Sequence, residues 1–98
     1  MQNIIQGKVV VIKNDDDYYN IKEESILIAE NTTPEVMVTI KKIKAIVTEI
    51  DNKLCHAAII AREFQKPFLM GIDNATNKFK TGERIVIDFQ KKTIKKII

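Results

Sequence analysis

Six short apolar runs, rich in β-branched residues and bounded by charged or turn-forming ones, punctuate this chain of 98 residues. They are IIQGKVVVI from Ile4, SILIA from Ser25, AIVTE from Ala45, FLM from Phe68, RIVIDF from Arg84 and TIKKII from Thr93. Runs of this length and composition suit strands. Gly7, inside the first, marks a bulge or a close approach of backbones. Helix signals stand between the runs. Thr33 can cap, Pro34 has the φ favoured at a first helical position, and Glu35 adds negative charge to the first turn. This predicts a helix with Val36, Met37 and Ile40 turned inward and Lys41, Lys42 and Lys44 towards its end. From His56, Ile59, Ile60 and Phe64 recur at helical spacing, and Pro67 stops the segment because the residue before a proline is pushed out of helical geometry. Asp73 to Phe79 fits one more helical turn, Thr81-Gly82 a tight turn, and Gln90-Lys91-Lys92 the bend of a terminal hairpin. Strands alternating with helices predict an α/β fold of two or three layers, one domain over residues 1–98.

Composition narrows the function classes. With 45% apolar and 30% charged residues the chain can bury a core of its own, so its single cysteine is not needed as a staple and has no partner for an intrachain disulfide. No leader-like segment opens the chain and no apolar run is long enough to cross a bilayer. The expectation is a cytoplasmic protein without a membrane partner. Residues 1–50 carry six Lys/Arg against eight Asp/Glu, and residues 51–98 carry ten against five. A basic second half attracts anions, yet Lys91, Lys92, Lys95 and Lys96 also suit a solvated hairpin. There is no tryptophan, and Tyr18 and Tyr19 lie in the acidic half, away from lysines that would follow a phosphate backbone; nucleic acid is not an expected partner. Asn14-Asp15-Asp16-Asp17 reads as a solvated connector, since the glycine and closing glutamate of a calcium loop are missing.

The chemistry concentrates in CHAAIIAREFQKP, residues 55–67, where the only cysteine and the only histidine are adjacent. Zinc is not expected, because no other Cys or His completes a tetrahedral set. A thiolate–imidazolium pair is not expected either, because neighbours at a helix entrance point apart. At a helix start, open backbone N–H groups and the positive dipole end favour an anion and disfavour a cationic ring. A neutral imidazole there can attack a phosphoryl group, and Ala57 and Ala58 leave the approach open. The plainer alternative is a structural histidine beside two good helix formers. Spacing leaves both open.

The order of Thr32-Thr33-Pro34-Glu35, Ala45-Ile46-Val47-Thr48-Glu49, Cys55-His56-Ala57-Ala58-Ile59-Ile60-Ala61-Arg62-Glu63, Lys66-Pro67, Gly71, Gly82 and Ile85-Val86-Ile87-Asp88 resembles the phosphohistidine swivelling domain of phosphoenolpyruvate-utilising enzymes. The resemblance implies a swivelling β/β/α layered fold in which His56 is the phosphoryl acceptor and Cys55, where Ser or Thr is usual, can hydrogen-bond near the ring. It implies a carrier that shuttles between a nucleotide-binding partner and a phosphoenolpyruvate-binding partner. Magnesium and ATP or phosphoenolpyruvate are expected on those partner domains, with no cofactor or metal in this one. The chain departs from the pattern where Asp51-Asn52 and Leu54 replace a Gly-Gly pair and a Thr. Asp and Asn tolerate a left-handed turn, but the Asp51 carboxylate would oppose a nearby phosphoryl group unless Lys53 or solvent screens it. The rival expectation is a non-catalytic interaction or regulatory domain that keeps the fold.

Overall fold

The computed structural model describes residues 3–97. Among these described residues six strands are present: β1 (Ile4–Ile12), β2 (Ser25–Ala29), β3 (Ile43–Thr48), β4 (Phe68–Leu69), β5 (Arg84–Asp88) and β6 (Thr93–Ile97). Two helices, α1 (His56–Glu63) and α2 (Ala75–Lys78), lie between β3 and β5. All six strands join one mixed sheet in the order β4-β3-β2-β1-β5-β6. The four from β4 to β1 are parallel, and β5 and β6 run antiparallel at the far side. The expected α/β domain is therefore present.

Alternation along each strand fills both faces of the sheet. Val10, Ile12, Leu27, Ala29, Ile43 and Ile46 face α1, where they pack with Ala57, Ala58, Ile60 and Ala61. Val9, Val11, Ile26, Ile28, Ala45 and Val47 face the other way and meet Ile85, Ile87, Ala75 and Phe79. Because β2 serves both cores, all five of its residues are buried. A continuous apolar run such as SILIA is what a strand covered on both faces requires.

One irregularity aligns the two patterns. The β2–β3 register shifts between Ser25, paired with Ile43, and Ile26, paired with Ala45, leaving Lys44 as the extra residue. Such a bulge lets Ile43 and Ile46 share a face despite their odd spacing. Lys44 Nζ then donates to Gln6 O at 2.8 Å. A Cβ on Gly7 would come within 3.1 Å of the Lys44 stem and 3.3 Å of Glu24 O. Gly7 is thus a close-approach glycine, and the bulge lies on a different strand.

The segment after Pro34 is not the expected helix. It forms two 3₁₀ segments, Pro34–Val38 and Ile40–Lys42, separated at Thr39. Val36 and Ile40 are buried as expected, but Met37 is 45% exposed. Val36, Val38, Thr39 and Ile40 are β-branched and lose χ1 freedom in an α-helix, so the proline starts a turn that the following residues do not extend. In α1, Ile60 is buried but Ile59 is 46% exposed, and the helix ends at Glu63, before Pro67. Gln65 takes φ +55°, Lys66 N donates to Ala61 O at 2.8 Å and Gln65 N to Arg62 O at 3.3 Å. This is a Schellman closure with glutamine where glycine is usual.

Candidate functional site

β2 and β3 are parallel neighbours, so their carboxyl ends open side by side, with Ala29 paired to Thr48. The pairing continues beyond the strands: Glu49 N donates to Ala29 O and Ile50 N to Glu30 O, both at 3.1 Å. The loop after β2 is thereby held against the loop leading from β3 to α1. In open α/β sheets this edge is the usual place for a site.

His56 is the first residue of α1, preceded by Cys55 as N-cap in extended geometry. Its ring is partly buried. Nδ1 lies 2.7 Å from Thr32 Oγ1, a contact between residues 24 apart in sequence. Thr32 is only 5% exposed, so this hydroxyl is a fixed partner. Asn31, beside it, uses Oδ1 to accept from Thr32 N at 2.8 Å and from Ala57 N at 3.4 Å. One first-turn donor of α1 is therefore satisfied from the β2 loop, because the N-cap side chain makes no such bond.

Cys55 does not play the part expected of it. Its side chain is 8% exposed and belongs to the core with Ala57, Ala58 and Ile60. The ring's side-chain partner is Thr32. A thiol turned into an apolar core is a small hydrophobe. Ala57 and Ala58 are likewise buried; their small size permits α1 to sit close to the sheet.

The turn leading into α1 survives without its glycines, by a different device from the one expected. Neither Asp51 nor Asn52 has a positive φ. Asn52 Oδ1 accepts from Leu54 N at 2.9 Å and Asn52 O from Cys55 N at 3.0 Å, an Asx turn that delivers the chain to the helix. The Asp51 carboxylate lies against Gly71, whose φ is +76° and where a Cβ would sit 3.1 Å from Asp51 Oδ2. Leu54 is 79% exposed and Lys53 is exposed.

A second polar junction stands on the other side of the β3 exit. Glu49 Oε2 accepts from Thr76 Oγ1 at 2.6 Å and from Thr76 N at 2.8 Å, joining β3 to the first turn of α2. The Thr76 hydroxyl, and then its N–H, hold the Glu49 carboxyl below its ordinary range. Among the described residues, no three His, Cys, Asp or Glu side chains gather as a metal site, and no helix is long and apolar enough to cross a membrane. A cavity of about 410 Å³ lies at the opposite end of the strands, lined by Gly7, Lys8, Lys44 and Arg84, and does not include His56.

Thr32 and Asn31 are the site residues to which sequence reasoning gave no role. Thr32 was visible only as part of a family pattern. Their partners lie across a parallel strand pair, and no local spacing encodes such a contact.

Known proteins give the site its context. The family model described as "PEP-utilising enzyme, mobile domain" matches residues 21–92. A phosphoenolpyruvate synthase of Synechocystis is 42% identical over 82 residues, covering 84% of this chain and 10% of that protein. The chain spans about a tenth of the length of the curated relatives it matches. Among solved structures, an Enzyme I chain (nEIt) has a TM-score of 0.62 at 25% identity, with 79% of this chain and 32% of that one covered. A chain of the holo-form aconitase X of Thermococcus kodakaraensis shares the fold, with a TM-score of 0.66 at 18% identity over 97% of this chain and 91% of its own. The order of the motifs, the sheet that sets His56 at the head of α1 and the match over most of the sequence agree: this chain belongs to the mobile-domain family of phosphoenolpyruvate-utilising enzymes.

Proposed function

We propose that the domain is a phosphocarrier in which His56 accepts a phosphoryl group from a donor site and passes it to an acceptor, within phosphoenolpyruvate and pyruvate metabolism. The observation that carries this reading is the 2.7 Å contact between His56 Nδ1 and Thr32 Oγ1. When Nδ1 carries the proton and donates to the threonine oxygen, Nε2 is left with its lone pair available. A hydroxyl accepts as readily as it donates, so Thr32 is compatible with this tautomer. The ring is then held on one side and nucleophilic on the other.

In the forward step, Nε2 bonds to phosphorus as the bond from phosphorus to the donor's leaving oxygen breaks, and that oxygen keeps the electron pair. The Nδ1–H stays on Thr32, where the hydroxyl oxygen supports the positive charge gained by the ring. In the return step, an acceptor oxygen attacks phosphorus and Nε2 recovers its lone pair. Positioning supplies most of the acceleration in phosphoryl transfer, and here it falls to a ring fixed between a helix start and a buried hydroxyl.

The donor and acceptor sites belong to nucleotide-binding and phosphoenolpyruvate-binding domains or chains, where magnesium and ATP or phosphoenolpyruvate would be held. The relatives, roughly ten times longer, have room for such domains. Incubation with the donor part of a phosphoenolpyruvate synthase and its substrates should add one phosphate, labile to acid and stable to base, that maps to His56 by mass spectrometry. The His56→Ala variant should take up none. A folded domain that no competent donor labels would favour the non-catalytic interaction or regulatory alternative.

A further inference from the structure

Asn31 has no part in the transfer chemistry just described, yet it contacts both halves of the site. Its Oδ1 accepts from the backbone of Thr32, the residue that holds the ring, and from the backbone of Ala57, the residue after the ring. The Thr32–His56 distance depends on how the β2 loop and the start of α1 are set against each other. Among the described residues, Asn31 Oδ1 bonds to both segments at once, beside the Thr32–His56 contact itself. Its neighbours on α1 give it no substitute, because Cys55 makes no side-chain cap and lies in the core.

We infer that Asn31 is a positioning residue for His56: by joining the loop after β2 to the first turn of α1, its amide oxygen holds Thr32 in register with Nδ1 and so keeps the ring on that hydrogen bond. The inference rests on the carrier reading for its functional meaning, but its geometric content stands on the hydrogen bonds alone. A side chain that only stabilised the helix would affect melting without altering the ring. A side chain that positions the ring alters its protonation pattern even where the protein stays folded.

Two variants separate these cases. Asn31→Ala removes the acceptor, whereas Asn31→Asp keeps an oxygen in the same place. The readout is the pair of His56 ring nitrogen signals in ¹⁵N-labelled protein, at a pH where the ring is neutral, with circular dichroism to follow the fold. The wild type should show one predominant ring pattern, that of the tautomer held on Thr32. Asn31→Asp should keep that pattern, and Asn31→Ala should shift the balance towards the other tautomer by roughly five- to tenfold, the amount one ordinary hydrogen bond can bias. An alanine variant with the wild-type ring pattern overturns the inference, as does an aspartate variant that is folded and has lost it. Should Asn31→Ala not fold, Asn31→Leu, which fills the same space without an acceptor, takes its place in the same measurement with the same two outcomes. The ring measurement needs no phosphoryl donor. An inert His56 with the predicted response to Asn31 substitution would therefore sink the carrier reading and leave the positioning role standing.

Discussion

At the scale of single residues, the site is a small number of polar contacts with no spares. The Thr32 hydroxyl is buried and His56 is its side-chain partner. Thr32→Val keeps the shape and removes the oxygen. It should lower the rate of His56 phosphorylation about tenfold, which corresponds to about one hydrogen bond, with little change in affinity for the donor; rapid-quench labelling measures the first and titration the second. Glu49 gives a prediction of opposite character, on stability and not chemistry. Its carboxyl is held below the ordinary range by the Thr76 hydroxyl and then the Thr76 N–H. A lowered pKa in the folded state means that this contribution is complete above the unfolded-state value, near 4.3 for glutamate. It is lost as the pH falls through the lower folded value. Denaturant titrations across that acidic window should show wild type losing its advantage over Glu49→Gln, while the difference stays constant near neutrality.

At the scale of elements, what could be read from the sequence was what depends on periodicity. All six apolar runs are strands, because a half-buried or fully buried strand writes its burial directly into consecutive residues. The helix from His56 was legible for the same reason, and so was the short turn before Thr81. The segment after Pro34 was misread because capping signals were weighed above the β-branched residues behind them, which favour short 3₁₀ turns. Ile59 shares the helical spacing of Ile60 and Phe64 yet is exposed, because an eight-residue helix on a sheet buries only one stripe. The end of α1 allows a direct test. Gln65 occupies a left-handed position, φ +55°, that costs a non-glycine residue roughly 1 kcal/mol. Gln65→Gly should raise stability by about that amount in urea melts, with His56 phosphorylation unchanged, because the substitution lies at the other end of the helix.

At the scale of the whole molecule, topology does what no single motif could. Parallel pairing of β2 with β3 brings the loop carrying Asn31 and Thr32 against the start of α1. The placement of His56 at a helix entrance was legible in the sequence, and its contact with Thr32 was not, because the strand order was not derivable. The hydrogen bond near the ring that the family resemblance implied for Cys55 is made by Thr32, while the thiol lies in the core. The same topology leaves Leu54 and Ile59, close to the ring in sequence, exposed. On the carrier proposal, a domain tested apart from its donor and acceptor forgoes the high effective concentration that a tether supplies. Transfer to the isolated domain should therefore require donor at far higher concentration than transfer within a full-length relative, a difference that a donor titration followed by labelling would register.

The central claim is that the free ring nitrogen of His56 can take a phosphoryl group and give it up again. The most direct measurement is ³¹P NMR of the ¹⁵N-labelled domain after exposure to a competent donor. One phosphoramidate signal coupled to Nε2, discharged on addition of acceptor, is the predicted result. A domain that stays folded and unphosphorylated with every donor that charges a full-length relative, or one that is phosphorylated only at other residues, would contradict it.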